Sequence, residues 1–324
     1  MEEGAKMAKR LGLFLVACFL SLSFVNSPLV GTYIQSLKTG AQAVSKQSDP
    51  LYERILAEAK NKGIQPEDAR IDKVWKAMPG YNGLEVDIPA SYRKMKALGK
   101  YDPKKLVYKE VKPKVHLGQL PPAPTFRGSP SKPMVSFAVN VAWGNEYLPD
   151  MLAVMKRHNV SASFFLEGNW VKKNPELAKM IASAGHEIGN HSYSHADMKR
   201  ISREKALDEL ARTNEVIEAT TGSKCRWFAP PAGSMGPETA VIAAEAGMRT
   251  IMWTVDTIDW QKPKPETIIN RVSSKVSNGS IILMHPTEPT ALALERLILS
   301  IKGKKLKIGT VSDMLSESRV EVLE

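Results

Sequence analysis

The sequence predicts an α/β fold, a distorted (β/α) barrel of about seven units preceded by a small N-terminal α+β module. Three features predict it. From Met134 onward short apolar runs alternate with amphipathic helical stretches, the order expected of a parallel sheet built from βα units. Just upstream, Pro113, Pro121, Pro122, Pro124, Pro130 and Pro133 crowd one segment, which excludes a continuous helix or a central strand. The polar motifs of the second half all fall where an apolar run ends, the end of a barrel strand at which active sites form.

The chain has 324 residues, 43% of them apolar, enough for one large core and a smaller one. Lys6, Lys9 and Arg10 precede an apolar stretch from Leu11 to Val25, 15 residues where a spanning helix needs roughly 20. Residues 1–27 therefore read as a signal peptide or signal anchor and 28–48 as a polar tether, which implies export. Cys18 sits inside this apolar run and Cys225 is far away, so no disulfide is expected. The net charge of +11 is dispersed along the chain. That favours attraction to polyanionic surfaces, and without a nucleic-acid motif the wall or membrane surface ranks ahead of nucleic acid.

Residues 49–112 form the expected accessory module. Ser48-Asp49-Pro50 opens a helix with Leu51, Ile55 and Leu56 on one face and Gly63 to end it. Asn82-Gly83 stands before alternating Leu84, Val86 and Ile88, a hairpin signal, and a second helix is expected over Ser91 to Leu98. Trp75 and Tyr81 could stack on sugars, but in so small a core they read as packing residues. Residues 113–133 read as a stiff, extended linker, and 134–324 as the barrel domain.

Within the barrel domain, strands are expected at Val135 to Val141, Ser161 to Leu166, around Ile188, at Trp227, and over Thr250 to Val255, Ser280 to Met284 and Lys307 to Thr310. Helices are expected between them at Tyr147 to His158, Pro175 to Ala184, Ser202 to Thr221, Glu238 to Ala246, Pro265 to Val276 and Leu292 to Ser300. Gly185 and Gly222 stand where two of these helices should stop.

Five short motifs carry chemistry. His191-Ser-Tyr-Ser-His195 puts two imidazoles within reach of one metal ion. Taken alone, such a pair is equally a polar pair packed at a strand end. Asp256-Thr-Ile-Asp-Trp260 and Leu283-Met-His285 supply two carboxylates and an imidazole at two strand ends. Ala229-Pro-Pro-Ala-Gly233 and Phe137-Ala-Val-Asn-Val-Ala-Trp-Gly144 complete the series.

In order and spacing these motifs resemble the polysaccharide deacetylases, the NodB-homology family or carbohydrate esterase family 4. The Trp143-Gly144 of the first motif and the small N-terminal module are most similar to the sporulation-associated, YlxY-type branch of that family. The resemblance implies hydrolysis of N-acetyl groups on cell-wall or spore glycan. It implies His191 and His195 as metal ligands, His285 as general acid and Asp259 as its orienting partner. It further implies Trp260, Pro231, Ala232 and Trp143 against the substrate, with the Ala232 N–H as an oxyanion donor.

Three departures stand out. Family members carry two adjacent aspartates in the first motif, one the general base and one the third metal ligand. Asn140 and Val141 occupy those positions here, and neither an amide nor an alkyl group can do either task well. The arginine that pairs with the base is replaced by Ala229, consistent with the lost carboxylate, since an unpaired buried arginine would cost several kcal/mol. Glu146 and Glu288 are the candidate replacement carboxylates. The expectation is an exported, monomeric deacetylase-like protein at the wall of a Gram-positive, endospore-forming bacterium. It would act weakly on N-acetylated glycan with a loosely held zinc ion. The alternative is a catalytically inactive glycan-binding or scaffold protein.

Overall fold

The computed structural model describes residues 49–320, so the expected signal segment, tether and Cys18 lie outside the described residues. These residues group into a helical unit, 49–61 with 87–107, and a larger unit, 62–86 with 108–320.

In the helical unit, α1 spans Pro50–Ala59 and α2 spans Ile88–Lys96. Each begins on an aspartate cap followed closely by proline. Asp49 accepts the Leu51 N–H at 2.9 Å and Asp87 the Ala90 N–H at 2.8 Å. Ile55 and Met95 are fully buried, and the Tyr92 hydroxyl donates to Asp49 at 2.6 Å.

The larger unit begins with two short antiparallel pairs. β1 (Arg70–Asp72) pairs with β2 (Lys76–Met78), and β3 (Gly83–Val86) pairs with β4 (Tyr108–Val111). No hairpin forms at Asn82-Gly83, contrary to the sequence expectation. Gly83 is needed for a close approach instead, because a Cβ there would lie 2.3 Å from the Ile64 carbonyl oxygen. Residues 62–86 and 108–111, expected to share one module with the helices, group with the barrel. They bond to the segment that follows: the Ala69 N–H donates to Val115 O at 2.9 Å and the Ala77 N–H to Pro124 O at 3.0 Å.

That proline-rich segment forms no α-helix or sheet strand, as its composition requires, but it is not extended throughout. Leu117–Gln119 winds into a 3-10 turn, and the segment is a bonded strap rather than a spacer. Thr125 is fully buried; its N–H donates to Thr250 O at 2.9 Å and its carbonyl accepts the Met252 N–H at 2.8 Å. Three residues on, the Gly128 N–H reaches Gly279 O at 2.8 Å. Lys132 ends the strap buried, its Nζ donating to the Asp313 and Ser316 carbonyls at 2.6 Å each. Proline density thus excludes α-helix and sheet strand but says nothing of what the freed backbone groups bond to.

The barrel comprises β5 (Met134–Val141), α3 (Leu148–Arg157), β6 (Ser163–Leu166), α4 (Gly168–Lys173), α5 (Pro175–Ser183), β7 (Glu187–Asn190), α6 (Arg203–Thr221) and β8 (Trp227–Phe228). It continues through α7 (Thr239–Glu245), β9 (Arg249–Thr250), β10 (Val255–Asp256), α8 (Pro265–Lys275), β11 (Ile281–Met284), α9 (Glu288–Gly303), β12 (Lys307–Gly309) and α10 (Val311–Leu315). Every pairing in the sheet is parallel, in the order β10-β11-β5-β6-β7-β8-β9, with β12 also on β5. This is the curled half-barrel that the βα alternation predicts. Short α4 and α10 are additional to the expected set. The single strand expected over Thr250 to Val255 is broken, because Ile251 and Met252 bond to Phe228 and Thr125 while Thr254 turns to Ile281.

β5 is buried along its whole length, with Val135, Phe137, Val139 and Val141 packed in the main core against α3 and α9 residues such as Met151 and Leu294. Its other face turns inward, where Met134 and Ala138 join Phe165, Trp227 and Ile251. Truncating any one of the large residues to alanine would cost about 2–5 kcal/mol. This alternation sets the site: the inward face delivers Asn140 to the C-terminal end of the strand. Among the described residues no helix is long and apolar enough to cross a membrane.

Candidate active site

His191 leaves the end of β7 fully buried. Its Nδ1–H donates to the Ala229 carbonyl at 2.7 Å, which fixes the tautomer and leaves Nε2 facing the cavity. The His195 ring lies 5.1 Å away, centroid to centroid, at 74°. Burial, helped by the neighbouring His195, pulls the His191 pKa down to about 3, and burial lowers that of His195 as well. Both rings are therefore neutral near pH 7. The turn between them is braced by Glu209 of α6, a residue the sequence reading did not single out. The available signal was a charge on the apolar stripe of α6, where Ala206, Glu209, Leu210, Thr213 and Ile217 are all buried.

Across the cavity, Asp259 is fully buried and acts only as an acceptor. Oδ1 takes the His285 Nδ1–H at 2.8 Å, while Oδ2 takes the His285 N–H at 2.6 Å and the Thr290 hydroxyl at 2.7 Å. His285 thus presents Nε2 to the cavity. Trp143 stacks on that imidazole, 5.7 Å between centroids and 9° from parallel, yet stays 45% exposed.

The cavity between these groups is about 440 Å³, in the range of small-ligand sites. Asn140, His191, His195, Ala232, His285, Trp143 and Trp260 line it, so one place collects most residues chosen from the motifs. Trp253 and Asp256 line it too; the first lay in no motif and the second was only a motif's first letter. Pro231 is buried and does not line it; the turn it begins brings Ala232 (φ 51°) to the wall instead. Glu146 and Glu288 line a neighbouring cavity of about 470 Å³, so neither replaces the missing carboxylate. Val141 packs in the core and is absent from the cavity wall. Asn140 is 3% exposed with its Oδ1 unpaired, a polar oxygen held ready at the floor of the site.

A zinc centre needs three or four protein ligands, and catalytic sites commonly use three. Among the described residues no group of three or more His, Cys, Asp and Glu side chains converges. Two imidazoles and an amide oxygen do not fit a three-ligand zinc centre.

A model of the polysaccharide deacetylase family matches residues 127–251. A peptidoglycan-N-acetylglucosamine deacetylase of Bacillus cereus is 32% identical over 60% of this chain and 72% of its own length. The chain belongs to the polysaccharide deacetylase family. YlxY of Bacillus subtilis (strain 168) is 53% identical over 95% of this chain and 97% of its own, which fits the branch the first motif indicated. In solved structures, wild-type BA3943, a CE4-family pseudoenzyme from Bacillus anthracis, superposes with a TM-score of 0.80 at 52% identity. That match covers 85% of this chain and 98% of that one. A mutant of BA3943 described as having restored enzymatic activity matches with a TM-score of 0.79 at 52% identity, over 84% and 100% of the two chains.

Proposed function

We propose that this chain is an exported deacetylase-family protein that binds N-acetylated glycan of the cell wall or spore and does not hydrolyse it. The carrying observation is the floor of the site. Asn140 lines the cavity, and at the position where the family resemblance puts the general base a neutral amide takes no proton at working pH. Val141 packs in the core, and among the described residues no carboxylate or further imidazole converges with His191 and His195 to make a three-ligand metal site. Any divalent ion would rest on those two rings and be held weakly, without a negative charge to offset it.

The walls suit a sugar. Trp143, Trp253 and Trp260 present aromatic surface to the cavity, and Trp260 is 56% exposed. Trp143 also walls the cavity of about 470 Å³ and another of about 480 Å³, so ligand space continues on either side of it. The glycan class follows the relatives named as peptidoglycan deacetylases, and export follows the N-terminal segment. The pseudoenzyme relative supports silence.

A second reading, slow deacetylation, is favoured by the intact Asp259–His285 pair. There His285 would protonate the leaving amine and the Ala232 N–H would face the oxyanion. Acetate release from N-acetylglucosamine oligomers and peptidoglycan, with zinc or cobalt added, separates the two. We expect binding without acetate from the unmodified protein. With metal added, activity should emerge when Asn140→Asp and Ala229→Arg, the base and its partner, are combined. Acetate released by the unmodified chain and abolished by His285→Ala would establish the second reading instead.

A further inference from the structure

The turn that carries the two histidines is bent against its own preference. Ser192 (φ 67°) and His195 (φ 55°) both adopt left-handed backbone, a region that non-glycine residues enter only when their surroundings hold them there. In a protein with a complete metal site an ion would help hold them; here the ligand set is short. Something else must supply the restraint.

Glu209 supplies it. The side chain is 1% exposed and reaches from α6 into the concave side of the turn. Its Oε2 accepts the Ser192 hydroxyl at 2.8 Å, the Tyr193 N–H at 2.9 Å and the Ser194 N–H at 2.7 Å. Its Oε1 accepts the Ser194 hydroxyl at 2.9 Å. Lys205, one turn back on the same helix, adds an ammonium at 3.2 Å. All these groups are donors, so only an acceptor-only side chain satisfies them together. Burial pushes the carboxyl pKa up, but the hydrogen bonds outweigh it and hold the group below the ordinary carboxylate range.

The rest of the turn is tied down from other directions. The Ser192 and Tyr193 carbonyls accept the Gly168 and Asn169 N–H groups at 2.9 and 2.8 Å, from the first turn of α4. A Cβ on Gly168 would lie 2.5 Å from the Tyr193 ring, so glycine is required for that approach. Asn190 accepts the Ser192 N–H at 2.8 Å while its amide donates to Leu210 O at 2.9 Å, back on α6. The Arg212 guanidinium covers the Tyr193 ring at 3.8 Å.

We infer that Glu209 is a positioning residue, which holds His191 and His195 in their cavity-facing geometry without an ion and so keeps the glycan pocket formed in a chain that lacks a metal ligand. The pocket half of this inference rests on the glycan-binding reading; the positioning half does not.

The test uses the full chain after chelator treatment, with two readouts. Amide hydrogen exchange of Tyr193 and Ser194 reports the turn, and titration with N-acetylglucosamine oligomers reports the pocket. In the unmodified protein the chelator should change neither. Glu209→Ala should speed exchange of those two amides at least tenfold while the amides of α6 stay protected, and should weaken glycan binding at least tenfold. Glu209→Gln, which keeps one carbonyl acceptor, should recover part of both. Should Glu209→Ala fail to fold, Ser194→Ala, which removes only the 2.9 Å bond to Oε1, should give a smaller loss of protection at the same turn. Unchanged exchange at Tyr193 and Ser194 in Glu209→Ala, or collapse of that protection when the unmodified protein is stripped of ions, would overturn the inference. Absence of glycan binding by the unmodified protein would sink the glycan reading and leave the exchange result standing.

Discussion

Acid should destabilise this protein through two buried histidines. His186 is 9% exposed and packs on Phe164 with ring centroids 5.0 Å apart. Its Nδ1 accepts the Ala162 N–H at 3.2 Å, so the ring is neutral and carries its proton on Nε2. Burial pulls the His186 pKa down to about 4, and burial with His195 nearby pulls that of His191 to about 3. In the unfolded chain each takes up its proton near pH 6.5. Both values are depressed by folding, so the unfolded state binds more protons as the pH drops. The stability these groups contribute is complete above about pH 6.5 and is lost toward pH 4 for His186 and pH 3 for His191. For His186 the interval from 6.5 to about 4 is worth about 3 kcal/mol. Denaturant unfolding followed by tryptophan fluorescence, in chelating buffer at about pH 7 and about pH 4.5, should show a loss on the order of 5 kcal/mol from the pair. His186→Asn keeps an acceptor for Ala162 in a side chain that does not titrate, and should lose about half as much. A His186→Asn protein with the full wild-type pH dependence would refute the assignment.

Other consequences follow from the same geometry. Metal should be substoichiometric after purification and removed by a mild chelator with the melting temperature unchanged; one zinc per chain surviving dialysis would reveal a third ligand. Trp143→Ala should weaken oligosaccharide binding about tenfold by removing one aromatic wall, read by calorimetric titration. Lys132→Met should cost about 2–4 kcal/mol in denaturant unfolding, because the Asp313 and Ser316 carbonyls lose a buried charged donor.

Local pattern was enough for much of this protein. Alternating apolar runs and helical stretches reveal a parallel barrel because burial period and chain direction are written residue by residue. Ser202 and Gly222 mark the ends of α6, since caps act on their own neighbours: Ser202 accepts the Lys205 N–H at 3.2 Å and Gly222 stands at φ 72°. Motif order brought Asn140, His191, His195, Asp259 and His285 to one end of the sheet, since every strand in it runs the same way. Interactions across long sequence separations were not legible. Asn82-Gly83 has the composition of a turn but meets Ile64 and Pro66, and the prolines of the strap conceal a backbone that bonds to Thr250 and Gly279. The carboxylate the chemistry called for could not be placed from motif spacing: Glu146 and Glu288 face a different cavity. Glu209 shows in the sequence only as a charge on the apolar stripe of α6; its role depends on donors from a turn that only the folded chain lays against that helix. Periodicity reports which face of an element is buried; what a buried polar atom meets there is decided by the packing of elements far apart in the chain.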